Sequence, residues 1–308
     1  MRTGERGFAL VAVLLVLAVL GVIGAEFAFS MRLEASAVRA YKDGVAGMHL
    51  AEAGIEQAIR EIAADFALAG ACRDGDPVRF YASDRTPRPP LPRKDIALGN
   101  GSFEYEISDE EARLNVNASP PERLDRLLSS LGIQKIERDT IVDSIQDWRD
   151  ANEEHRLNGA ESDYYLKQPV AYRSRNANLE SVYELLQIRG VTEALFRGTD
   201  AHAGLVGQLT VKTPGPVNIN TAGAHVMRAL GLSDAEISQI VQSRCDSPYP
   251  AVPGQFSGRG FIVTSRTFRV ESRGIIGGRE AARVLAVLQK RQSQSGATVV
   301  TLEWSADR

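Results

Sequence analysis

Residues 8–25 read FALVAVLLVLAVLGVIGA, a run without one polar side chain. At 1.5 Å per residue such a helix covers about 27 Å, close to the ~30 Å hydrocarbon core of a bilayer. A short leader with Arg2, Glu5 and Arg6 precedes the run, and Arg32, Arg39 and Lys42 follow it. Counting these charges gives little orientation, although the terminal amine adds to the leader side and so short a leader is easily left inside. The run reads as a cleaved secretory signal, as a plain membrane anchor, or as a helix with a second use after processing. The first reading is the weakest. A secretory signal has an apolar core of roughly 7–15 residues and an A-x-A-like end. This core is longer, and Ile23 stands where a small residue is wanted.

The helix is expected to continue. No proline occurs between Glu26 and Phe66, and apolar residues recur at Met48, Ala51, Ile55, Ala58, Ile59 and Ile62. That spacing predicts one helix of about 55 residues, apolar first and amphipathic later. Gly44, Gly47 and Gly54 weaken it by about 1 kcal/mol each relative to alanine.

The remainder looks soluble. The chain of 308 residues is long enough for about two domains. Its 44% hydrophobic and 24% charged content excludes wholesale disorder. A net charge of -3 argues against a strongly basic nucleic-acid binder. The mean hydropathy of -0.18 excludes a polytopic membrane protein. Two cysteines and four histidines are too few for a cysteine-rich zinc module or an iron–sulfur protein. No P-loop, GxSxG or HExxH appears, so the chain is expected not to be an enzyme.

Residues 70–101 read as loop, with five prolines. Residues 102–108 and 267–272 alternate apolar and polar, Gly277-Gly278 signals a turn, and residues 283–288 read as a further strand. Between these strands the pattern is helical and repeats. Asn115-Val-Asn-Ala-Ser precedes a helix ending Leu131-Gly132-Ile133, and Asn218-Ile-Asn-Thr-Ala precedes one ending Leu230-Gly231-Leu232, an offset of 103 from Asn115 to Asn218. Each glycine is a helix-end signal, and Ser233 with Glu236 makes a capping box for the next helix. Such units resemble helix-hairpin-helix or SAM-like modules. In other proteins those hairpins grip the DNA backbone with glycine amides and basic residues. No lysine cluster follows either hairpin here, so a helical scaffold without a nucleic-acid partner is expected.

Residues 147–163 carry six carboxylates against two arginines. Crowded carboxylates repel unless solvated or bridged by a cation. Oxygen ligands with a glycine turn suit calcium, but the spacing is not that of an EF-hand. A solvated acidic loop is the competing reading, and His155 alone marks no metal site.

The Gly7-Phe8 junction, a charged leader ending in Gly followed by Phe and an apolar helix, resembles the processing site of type IV prepilins and type II secretion pseudopilins. The resemblance implies that a prepilin peptidase cuts after Gly7 and methylates Phe8. Most such subunits carry Glu at the fifth mature position, which here is Ala12. The K-type minor pseudopilins of the type II secretion system lack that Glu, and their acidic loop is similar to the run Asp147-Trp148, Asn158-Gly-Ala-Glu161, Asp163-Tyr-Tyr165. The resemblance covers nearly the whole chain. It implies an α+β fold in which a long N-terminal helix packs on a small antiparallel sheet, with a large all-α insertion. Residues 1–7 would be the leader, 8–111 the stem (membrane part 8–28) and first part of the pilin-like domain, 112–244 the insertion, and 245–308 the rest of the sheet.

The resemblance also implies calcium in the insertion, with Asp147, Asp150, Asn152, Glu154, Glu161 and Asp163 as candidate ligands. It implies a non-enzymatic subunit of the inner membrane, its body in the periplasm, located at the pseudopilus tip. Expected partners are the I-, J- and H-type minor pseudopilins, the major pseudopilin, the peptidase, and exported proteins. Cys72 and Cys245 would then lie in an oxidising compartment, as a disulfide or as two thiols. The alternatives are a type IV pilus minor pilin, a membrane-anchored DNA-binding hairpin protein, and an anchored hydrolase using the carboxylate cluster.

Overall fold

The computed structural model describes residues 5–200, 202–293 and 296–307. The first four leader residues, and the surroundings of residues 5–9 with the Gly7-Phe8 junction among them, lie outside what is described.

The stem, α1, is one continuous helix over Glu5–Ala63. Side chains from Leu10 to Asp43 are all exposed, and burial begins at Gly44. Beyond that point Met48, Ala51, Ile55, Ala58 and Ile62 are buried, the face the spacing marked out. Lys290 ends the helix by donating its Nζ to the Ala64 carbonyl at 2.6 Å while lying over the Phe66 ring.

The buried face of α1 packs on a five-stranded antiparallel sheet. Its strands are β1 (Ile96–Leu98), β2 (Gly101–Asp109), β3 (Thr267–Ile276), β4 (Arg279–Ser293) and β5 (Gly296–Asp307), ordered β5-β4-β3-β2-β1. In register, Val270 faces Ile107 on one side and Ala286 on the other. These residues share a core with Phe103, Tyr105, Phe268 and the stem. The stem comes very close to the sheet, because a Cβ on Gly274 would sit 1.8 Å from the Gly47 carbonyl oxygen.

The three strands expected from alternation lie within β2, β3 and β4. Two elements differ from the sequence reading. Edge strand β5 shows no clean alternation, since most of its residues are partly or fully exposed. The run 70–101 is not all loop, because Leu68–Gly70 pairs with Arg79–Tyr81 and β1 adds to the sheet edge. Three-residue strands are too short for a period-2 signal.

The chain leaves the sheet after Asp109 and returns at Thr267, and a second core lies between. It holds two equivalent units. In the first, α2 (Pro121–Ser130) and α3 (Lys135–Arg149) follow the strand Leu114–Asn115. In the second, α4 (Ala224–Ala229) and α5 (Asp234–Asp246) follow Val217–Asn218. The insertion does not stop at residue 244. Phe256 belongs to its core, and Phe261–Ile262 pairs in parallel with Val217–Asn218. Residues 247–262 are rich in Pro, Gly and Ser and carry no periodicity, so local sequence did not reveal which core they join.

Candidate metal centre in the acidic loop

The equivalence of the two units reaches single hydrogen bonds. Asn117 accepts from Leu179 N at 2.9 Å and donates to Leu179 O at 2.8 Å. Asn220 does the same with Tyr249, at 2.7 and 3.0 Å. At the end of α3, Arg149 donates to the carbonyls of Val116, Asn117 and Ser119. At the end of α5, Arg244 donates to those of Ile219 and Ala222. A guanidinium with its fork of donors can satisfy several loop carbonyls at once. Arg149 therefore spends its hydrogen bonds on the scaffold and not on the carboxylates of the acidic loop among the described residues.

Asp147 lies on the buried side of α3, and Asp150 caps its C-terminus. Arg156 bridges them, its Nη1 donating to Asp147 Oδ1 and Asp150 Oδ2 at 2.6 Å each. The chain then turns through Gly159, and Glu161 enters with a relative exposure of 1%. Neither Glu161 carboxylate oxygen has a hydrogen-bond partner among the described residues. One oxygen each from Asp147, Asp150 and Glu161 lies within 4.8 Å of the others. Burial pushes the Glu161 carboxyl up to about 7; the nearby Ser174 hydroxyl, hydrogen-bonded to Ser162 Oγ at 2.8 Å and not within bonding distance of Glu161, opposes the shift, and the charges of Asp147, Asp150 and Glu153 add to it. Gly159 is required because a Cβ there would fall 1.8 Å from Asp147 Oδ2. Trp148 and Tyr165, both buried, meet edge to face at 5.2 Å behind the loop and form its packed support.

Three of the candidate ligands come together and three do not. Asn152 points back into its own turn, accepting from Glu154 N and donating to Asp150 Oδ1. Glu154 is exposed. Asp163 is exposed and pairs with Lys167 one helical turn on. The sequence reading missed Glu153, which accepts from Ser162 and Asn176 and adds its charge to the cluster. Adjacent glutamates 153 and 154 have equivalent chemistry, and only the fold distinguishes them.

The structure joins Cys72 and Cys245 in a disulfide, 173 residues apart in sequence. At the end of the first hairpin Lys135 pairs with Asp125 and Asp139. Helices α2 and α4 pack together, with Arg126 donating to Ala229 O at 2.9 Å.

A helix bare over its first half and laid on an antiparallel sheet with its second defines a pilin-like protein, here with a helical insertion carrying an acid cluster. The family model described as type II secretion system (T2SS), protein K, matches residues 103–201. Type II secretion system protein K of Pseudomonas aeruginosa is 27% identical over 79% of this chain and 74% of its own length. Its counterpart in Pectobacterium carotovorum is 28% identical over 79% and 76%. A solved GspK-GspI-GspJ complex from enterotoxigenic Escherichia coli matches with a TM-score of 0.60 at 17% identity, covering 89% of this chain and 99% of that one. The chain is thus similar to type II secretion system protein K in sequence and to a chain of the GspK-GspI-GspJ complex in fold.

Proposed function

We propose that this chain is a minor pseudopilin at the tip of the type II secretion pseudopilus. There it initiates assembly with the I-, J- and H-type subunits and supports export of folded proteins across the outer membrane. The observation that carries this reading is the stem, whose apolar residues from Leu10 to Tyr41 are all exposed ahead of a large body. Such a surface needs lipid before assembly and neighbouring stems afterwards. Ala12 lies on it and offers no carboxylate to a terminal amine beyond it, which suits a subunit with none above. The prepilin peptidase processes Gly7-Phe8, and the body stands in the periplasm on a single inner-membrane span.

The test is expression in a secretion-competent bacterium lacking its own protein K. The mature chain is expected to begin at N-methyl-Phe8, to co-purify with I- and J-type subunits, and to restore export. An intact Met1, or a start near Glu26, overturns the reading. Surface piliation without export would favour the type IV alternative.

Asp147, Asp150 and Glu161, with Glu153 beside them, are the residues that would hold calcium. The fit rests on an oxygen-only donor set, on the two unpartnered oxygens of buried Glu161, and on the space that Gly159 leaves against Asp147. Calcium would supply positive charge that ties the end of α3 to the chain entering at Glu161. A ligand at a hundred times its dissociation constant stabilises the folded state by about 2.7 kcal/mol. Calcium is therefore expected to raise the thermal transition and a chelator to lower it, with Glu161→Gln abolishing the difference. No shift at any calcium concentration would remove the site.

A further inference from the structure

The last turns of α1, the hairpin over residues 68–81 and the run Thr86–Pro92 enclose an open groove of about 990 Å³. Pro87, Pro89, Pro90 and Pro92 hold this run extended and leave four of its residues without an N–H donor. Two bonds pin it: Arg88 N donates to Phe80 O at 2.8 Å, and Gln57 Nε2 donates to Pro92 O at 2.9 Å. The groove is apolar along its length, with Phe66, Leu91 and Ile96 among the residues lining it.

Its charge is opposite in sign to that of the whole chain. Four arginines line it, namely Arg60, Arg79, Arg88 and Arg93, against Glu61 and Asp65. Arg93 is committed to Glu61 through Nε and Nη2. Arg88 reaches Asp65 at 3.4 Å. No carboxylate of the described residues lies within 4 Å of Arg60 or Arg79, and both are exposed. The groove is thus a cationic, apolar trough on a chain of net charge -3.

We propose that this groove docks an extended acidic segment of another protein, anchored by apolar side chains. An extended backbone can donate its N–H groups to the free carbonyls of the proline run. Its apolar residues would rest against Phe66, Leu91 and Ile96, and its carboxylates would meet Arg60 and Arg79. An anionic lipid offers the same charge but is out of reach. Along α1, Arg60 lies about 50 Å beyond Ala25, where the apolar run ends. That choice of protein over lipid rests on the membrane-anchored reading of the stem; the binding itself does not.

The probe is a fluorescein-labelled octapeptide alternating Asp or Glu with Phe or Leu, titrated against the full chain in dodecyl maltoside micelles. The control has lysine in place of each acid. The acidic peptide is expected to bind in the micromolar range and to weaken as salt rises; the lysine peptide is expected not to bind. Arg60→Glu with Arg79→Glu should weaken binding tenfold or more, and Leu91→Asp should do so independently, each with an unchanged thermal transition. Equal affinity in both variants, or no binding of the acidic peptide at millimolar concentration, overturns the proposal. Phosphatidylglycerol vesicles binding where the peptide does not would also overturn it. Processing at Phe8 is read in a separate experiment, so either result can fail without the other.

Discussion

Glu111 is a buried acid at the point where the chain leaves the sheet for the insertion. Its carboxylate accepts from Thr267 N at 2.9 and 3.2 Å, on the strand by which the chain returns. Burial, and then the charge of Asp109, push its pKa up to about 8, with the Thr267 amide opposing. Between the ordinary value of 4.5 and about 8, the folded chain holds a proton that the unfolded chain has released. Stability contributed at this residue is therefore full at low pH and falls as pH rises through that window. Glu111→Gln keeps the shape and cannot ionise. It is expected to flatten the pH dependence of the urea midpoint between pH 5 and 8, and a parallel curve would remove the assignment. Nothing in the sequence singles out Glu111, because its partner Thr267 lies 156 residues away. By contrast, Asn115, Asn117, Asn218 and Asn220 were legible as a repeat, because each pair must satisfy the same local backbone. Long-range partners leave no such local trace.

The stem shows the same division at the scale of an element. Its length and buried face followed from the spacing of Met48, Ala51, Ile55, Ala58 and Ile62, because a 3.6-residue period is a local property. Its glycines were read only as losses of helix propensity. The structure gives two of them a purpose. Gly47 meets Ala281 and Gly54 meets Ser272, each close enough that a Cβ would clash. Strand β3 answers with Gly274 against the Gly47 carbonyl. A methyl at Gly274 would meet backbone, which cannot rotate away as a side chain can. Gly274→Ala is therefore expected to separate stem from sheet and to cost about 1–3 kcal/mol, the usual range for overpacking. Gly44→Ala, with open space around its Cβ position, is expected to stabilise the helix by up to about 1 kcal/mol. Opposite shifts of the two urea midpoints are the check, and a neutral Gly274→Ala would contradict the close approach.

At the scale of the molecule, the expected architecture of a pilin-like body interrupted by helices holds. How the two cores are fixed together was not legible. The loop over residues 71–76 leaves the small hairpin beside the stem and grips the second helical unit at four points. Ala71 N donates to Asn220 O at 2.9 Å, Asp74 accepts from Ala224 N at the start of α4, Arg244 donates to Cys72 O, and Cys72 is bonded to Cys245 on α5. An anchored chain would put the two cysteines in an oxidising compartment, and the sequence left bonded and free thiols equal, since pairing depends on the fold. Removing a native disulfide typically costs about 2–5 kcal/mol, chiefly through the freed unfolded chain. The three remaining contacts are single hydrogen bonds, present with or without the disulfide, so they do not offset its loss. Cys72→Ser with Cys245→Ser is therefore expected to lower the urea midpoint. The amides of Ala71 and Ala224 should then exchange faster than those of Val270 in the sheet and Leu127 in the insertion, because the latch opens while each core keeps its own packing. An unchanged midpoint with unchanged exchange at Ala71 and Ala224 would show that the hydrogen bonds alone hold the insertion against the stem.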